Sequence, residues 1–128
     1  MKILKDNIEV KMEIPGAIIR QQVDFGDATG LGKISSEYFS LSKGVDTTPL
    51  FIGLEGNLCQ CPHWGYVLSG QLTTTDAHGI EETVNAHDLF YWPSGHNVKV
   101  TKDAEIIMFS PQHKHTHVIN HMIEKVKG

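Results

Sequence analysis

Two cysteines and eight histidines occur in this chain of 128 residues. The cysteines stand two apart in Asn57-Leu58-Cys59-Gln60-Cys61-Pro62-His63. A disulfide between Cys59 and Cys61 would close a very small, strained ring, so a different chemistry has to be considered for them. Thiolate and imidazole are both good ligands for zinc and other borderline metals. A further histidine, His96, follows Pro93-Ser94-Gly95. Four donors, Cys59, Cys61, His63 and His96, would complete a closed tetrahedron. Three would leave a coordination position for water or a substrate. The other reading of the same residues is two buried small thiols and a hydrogen-bonded imidazole. On an extended chain Cys59, Cys61 and His63 share one face, with ~7 Å between successive same-face positions. A straight strand therefore cannot converge them. Pro62 cannot donate a ladder bond and marks the place where a bend could.

The elements that must carry these donors are short and β-like. Ala17 to Val23, Lys33 to Leu41, Leu50 to Leu54, Trp64 to Leu68, Gln71 to Thr75, Ile80 to Val84, Leu89 to Trp92, Val98 to Thr101 and Glu105 to Phe109 read as strands. Turn compositions separate them: Pro15-Gly16, Glu55-Gly56-Asn57, Asp76-Ala77-His78-Gly79, Pro93-Ser94-Gly95 and Lys102-Asp103. Nine or ten short strands at this spacing predict a sandwich or barrel. The pattern then changes. Val118, Ile119, Met122, Ile123 and Val126 recur at helical spacing. Ser110 reads as the N-cap and Pro111 as the first helical residue, predicting a helix over about 111–126. With no linker or repeat, the reading is one domain over 1–128, its barrel at about 8–109.

Composition excludes some functions. Eleven basic against fifteen acidic residues give a net charge of −4, which fits neither a nucleic-acid binder nor a protein drawn to anionic membranes. No apolar run approaches the ~20 residues of a membrane span. The N-terminus carries no apolar stretch of signal-peptide length, so the cytoplasm is the expected compartment.

The stretch Cys59-Gln60-Cys61-Pro62-His63-Trp64-Gly65-Tyr66-Val67-Leu68-Ser69-Gly70, together with His87 to His96, resembles the two motifs of the cupin superfamily. The likeness covers roughly residues 51 to 109. It is narrower towards small single-domain cupins with a Cys-Pro-His-Trp-Gly-Tyr stretch in the first motif. Counted back from Gly70, His63 stands where the motif has its glutamate. Asn57 and Cys59 stand at its two histidines, and Phe51 at its opening glycine. In the second motif His87 stands at the first glycine, while Pro93 and Gly95 are in place. Val98 stands at the metal histidine, with His96 two residues earlier, and Lys102 at the closing asparagine. The usual three-histidine, one-glutamate set is therefore missing, and Cys59, Cys61, His63 and His96 remain near its positions. The resemblance implies an all-β fold, a double-stranded β-helix or jelly-roll barrel, with a short C-terminal helix outside it. It also implies a homodimer, with the segment Ile8 to Val23 adding strands across the interface.

The expected function is binding of a divalent metal, a small molecule, or both, in the barrel mouth. Zinc is the first choice of metal, with iron, nickel and copper as others, and a barrel without metal is the remaining case. The alternative is a metal-dependent enzyme of dioxygenase or isomerase type. Glu55 and His87 are the candidates for a nearby base. His113, His117 and His121 recur every four residues and read as a solvated stripe on one helix face; His78 reads as a hairpin tip. Trp64, Tyr66, Tyr91 and Trp92 flank the motifs, as pocket wall or as core.

Overall fold

The computed structural model describes residues 1–27 and 32–128. Among them are seven strands and one long helix: β1 (Val10–Ile14), β2 (Ala17–Gln22), β3 (Ile34–Leu41), β4 (His63–Asp76), β5 (Glu81–Asn85), β6 (Leu89–Trp92), β7 (His96–Pro111) and α1 (Gln112–Lys127). All pairings between strands are antiparallel, in the order β1-β2-β3-β7-β4-β5. β6 lies against the first residues of β4, with His63 opposite Trp92 and Trp64 opposite Tyr91.

The strands are fewer and longer than the turn signals predict. Trp64 to Leu68 and Gln71 to Thr75 belong to one strand, β4, and Val98 to Thr101 and Glu105 to Phe109 belong to β7. The presumed breaks are irregularities in the register between β4 and β7, where Ser69 pairs with Glu105, Gln71 with Lys102 and Leu72 with Val100. Gly70 holds φ +89 there, and a Cβ at this position would overlap the Asp103 carbonyl oxygen. An irregularity of this kind bends a strand and increases its twist without ending it. Lys102 and Asp103 bulge outward while Val98, Val100, Ala104, Ile106 and Met108 all face the core.

Leu50 to Leu54 departs from the strand expected of it. It lies between two short 3-10 turns, Thr48–Leu50 and Glu55–Asn57. Pro49, just before this stretch, removes a ladder donor, and Gly53 takes φ +102, which breaks an extended run. The hairpin at Asp76 to Gly79 is as expected: Asp76 Oδ1 accepts the His78 and Ile80 amides at 2.8 and 2.9 Å.

The helix also starts differently from its sequence signals. Ser110, next to last in β7, is fully buried, the N-cap is Pro111, and no side chain caps the helix. One face of α1, His115, Val118, Ile119 and Met122, is buried against the barrel. The segment expected to cross to a second copy forms β1 and β2 of the chain's own sheet. No helix among the described residues is long and apolar enough to cross a membrane.

Gly70 and Gly79 both have positive φ, but only Gly70 has backbone against its Cα. Gly70→Ala is expected to lower the unfolding free energy by roughly 2–4 kcal/mol. Gly79→Ala, which meets nothing within 4 Å, should cost only about 1 kcal/mol. Urea midpoints of the two variants check the difference.

Candidate metal centre

The site is assembled around His63, the first residue of β4. A bend at Cys61, followed by Pro62, precedes it. Cys59 is held before that bend by a two-way bridge to β7: its amide donates to the His96 carbonyl at 2.9 Å, and its carbonyl accepts from the Gly95 and His96 amides at 2.8 and 3.2 Å. The bend turns the chain back on itself, so Cys59 Sγ lies 3.6 Å from His63 Nε2. The His63 and His96 rings are 5.3 Å apart between centroids. The donor atoms of Cys59, His63 and His96 all lie within 4.8 Å of one another, and all three residues are buried.

Cys61 does not join them. The same bend sends its thiol the other way, towards the carbonyls of Pro62 at 3.3 Å and Pro111 at 3.9 Å. The expectation that Cys59, Cys61 and His63 share a face fails because Pro62 breaks the alternation on which it rests.

A second group shares His63. Glu37, His63 and His115 also place one donor atom each within 4.8 Å of one another, all buried. Sequence reasoning missed Glu37, His115 and Ser110. Ser35 and Glu37 point inward from β3 among outward-facing serines and a tyrosine, so before Phe39 no apolar residue marks the inner face. His115 had a signal: the apolar positions Val118, Ile119 and Met122, extended back by one turn, fall on it. Of the expected stripe, His113 and His117 are exposed, but His121 donates from Nε2 to the Ile52 carbonyl at 2.8 Å. Glu55 and His87 are exposed and do not line the cavity at the site. His87 instead pairs through Nδ1 with the Tyr66 hydroxyl at 2.8 Å.

Hydrogen bonds orient all three buried imidazoles the same way. His96 Nδ1 is 2.7 Å from the Pro93 carbonyl, which can only accept. His63 Nδ1 is 2.6 Å from Ser110 Oγ. Ser110 spends its own proton on Glu37 Oε1 at 2.5 Å, so its oxygen accepts from His63. His115 Nδ1 bonds Glu37 Oε1 as well. Glu37 is itself held by the Ser35 hydroxyl at 2.9 Å, and Ser35 Oγ accepts from Gln21 Nε2 at 3.3 Å. With their Nδ1 atoms committed, neutral His63 and His96 keep their lone pairs on Nε2. Outer partners of this kind are what fix the tautomer of a metal-ligating histidine.

Burial dominates the electrostatics. It holds His63 well below the ordinary histidine value of 6.5, and the neighbouring His115 and His96 add to the effect. Burial also lowers His96, partly offset by its bond to Pro93. It pushes the Cys59 thiol up to about 12, and Cys61 upward too. Cys59, His63, His96 and His115 line a cavity of about 60 Å³ whose remaining wall is almost wholly apolar.

The residues suit a transition metal. Tetrahedral bonds of about 2.0–2.3 Å place donors roughly 3.3–3.8 Å apart. The Cys59–His63 separation already has that value, and the other pairs lie within 4.8 Å. Hard oxygen-seeking cations such as calcium and magnesium do not match a thiol and imidazoles.

Similarity to solved structures is confined to shape. No protein-family model and no curated protein sequence matches the chain. A variant of oxalate decarboxylase from Bacillus subtilis superimposes with a TM-score of 0.58 at 19% identity, over 83% of this chain and 28% of that one. The formate complex of oxalate decarboxylase from Lactobacillus farciminis gives 0.57 at 16% identity, over 83% and 31%. The polyketide cyclase RemF from Streptomyces resistomycificus gives 0.58 at 17%, over 87% and 78%. The chain thus spans under a third of the oxalate decarboxylases' length. Its fold is the cupin fold, a double-stranded β-helix with a helix added at the C-terminal end.

Two buried neutral histidines make the metal-free protein acid-sensitive. Below about 6.5 the unfolded chain takes up protons that folded His63 and His96 refuse, so stability falls as pH falls. The expected slope is up to about 1.4 kcal/mol per pH unit for each histidine. Denaturant titrations of the metal-free protein between pH 7.5 and 5 measure it, and His63→Gln should flatten the curve.

Proposed function

We propose that this chain binds a divalent transition metal, zinc first among them, through Cys59, His63 and His96, with His115 as a further donor, and accepts a small molecule beside it. The observation that carries this reading is the common orientation of the three imidazoles, whose Nδ1 atoms are committed to Pro93, Ser110 and Glu37. A histidine buried for packing alone has no need of a free Nε2 next to a thiol. Cys61 is left out of the proposed set because its sulfur is turned towards Pro62 and Pro111.

The oxalate decarboxylase of Bacillus subtilis has Mn(II) centres. A thiolate in the donor set favours softer metals than manganese, so we assign this site to zinc, with iron, nickel and copper behind it. When bound, such an ion polarises a carbonyl or activates water. With His115 the set closes; Cys59, His63 and His96 alone leave a position open, and that arrangement supports the second reading, a metal-dependent enzyme acting on a small organic substrate. In either case Glu37 would hold two of the rings in place, directly at His115 and through Ser110 at His63.

Two further parts of the proposal concern the chain as a whole. Its cysteines are free, which suits a reducing compartment such as the cytoplasm. The outer face of β4, β6 and β7 exposes Trp64, Leu89, Tyr91 and Phe109, and we propose that a second copy covers it in a homodimer. Light scattering should give twice the mass of 14.2 kDa; a monomer at micromolar concentration removes this part.

Metal analysis of untagged protein tests the site. His63→Ala is expected to lose most of the zinc, whereas His117→Ala, exposed on α1, should keep it. A neutral thiol must release its proton to ligate, and Cys59 stays protonated throughout the ordinary range. Zinc affinity should therefore rise about tenfold per pH unit between pH 7 and 8.5, and calorimetry in buffers of different ionisation enthalpy should count one proton released. Equal zinc content in wild type and His63→Ala would sink the reading.

A further inference from the structure

Trp92 sits at the end of β6 with 3% of its surface exposed, and it lines the same cavity as Cys59, His63 and His96. Its ring stands edge-on to His63, 6.4 Å between centroids, and 5.8 Å from His96. Its Nε1 is buried and has no hydrogen-bond partner among the described residues. An indole N–H can only donate, and leaving one unpaired in an apolar surrounding is unfavourable.

The rest of the wall limits what could accept that proton. Met12, Ile19, Phe39, Phe51, Val98 and Ile106 face the cavity, so the body of an occupant has to be aliphatic. The volume is about 60 Å³. At about 15 Å³ for one water by the same measure, this admits a molecule of roughly four to six non-hydrogen atoms.

We propose that the cavity takes a small, largely aliphatic molecule that presents a carbonyl or carboxylate oxygen to Trp92 Nε1–H, making Trp92 the residue that selects for that oxygen. This deepens the metal-site reading by naming the class of molecule bound beside the ion. The Trp92 contact itself can be tested with and without metal. A molecule of the same shape lacking the oxygen leaves the indole unpaired, so it is rejected more strongly than its size would suggest.

The test is a titration of indole-¹⁵N-labelled protein with butanone, with isobutyrate and with cyclopentane as the oxygen-free control. The chain has two tryptophans, and Trp64→Phe, a change on the half-exposed outer face, assigns the remaining indole resonance to Trp92. Each titration is run on metal-free and on zinc-loaded protein. The expected result is a saturable downfield shift of the Trp92 indole proton with butanone, isobutyrate or both, and none with cyclopentane. A shift with butanone alone identifies a neutral carbonyl as the group recognised, and a shift with isobutyrate alone a carboxylate. Trp92→Phe should then weaken binding by about tenfold or more. Absence of a saturable shift with either compound in both forms overturns the proposal, as does an equal response to cyclopentane. Failure to bind zinc removes the metal reading but leaves the metal-free titration to decide the role of Trp92.

Discussion

The imidazole of His63 is gripped by the two ends of a single strand, and the rest of the molecule is arranged to allow it. Ser110, next to last in β7, bonds Nδ1 at 2.6 Å. His96, the first residue of β7, lies 5.3 Å away ring to ring and carries Cys59 to the Nε2 side through its backbone bridge. His96 and Ser110 are fourteen positions apart. A straight strand would separate them by roughly 45 Å. They meet at one ring because β7 curls, with the register irregularities opposite Gly70 permitting the bend. Closing the barrel and forming the site are thus the same event.

That closure buries polar groups in an apolar interior, where each is tolerable only if paired. The pairing is nearly complete. Gln21, Ser35, Glu37, Ser110, His63 and His115 form one connected set running from β2 through β3 and β7 to β4 and α1. Glu37 is its centre, accepting from two hydroxyls and one imidazole. An apolar residue at 37 would leave both Ser110 and His115 without an acceptor. The network does not contribute stability in the way the surrounding core does; it decides which nitrogen of each ring faces the cavity.

The helix closes the arrangement from outside the sheet. Val118, Ile119 and Met122 place α1 over the barrel end by apolar burial, and His115 converts that packing into a polar contact with Glu37. The same helix therefore forms part of the cavity wall and part of the support for its donors. The absence of a side-chain cap at its start follows from this, because Ser110, the residue the sequence offers as a cap, is already engaged by Glu37 and His63.

Local sequence determined a good deal: the β-rich barrel, the hairpin at Asp76 to Gly79 and the C-terminal helix. Each rests on a signal carried within a few residues, whether alternation, a turn composition or a helical period. Tertiary structure decided the remainder. Whether Gly70 and Lys102-Asp103 end a strand or bend it depends on the partner strand's register, which no local window contains. Cys61 left the cavity because Pro62 turned the chain, and the direction of such a turn is set by the Cys59–His96 bridge. Glu37 lies 26 positions before His63, and with Ser35 it makes the first half of the inner face of β3 polar, so periodicity is silent about it. Its role exists only once β3 and β7 lie side by side and bring a carboxylate, a hydroxyl and two imidazoles within hydrogen-bonding reach.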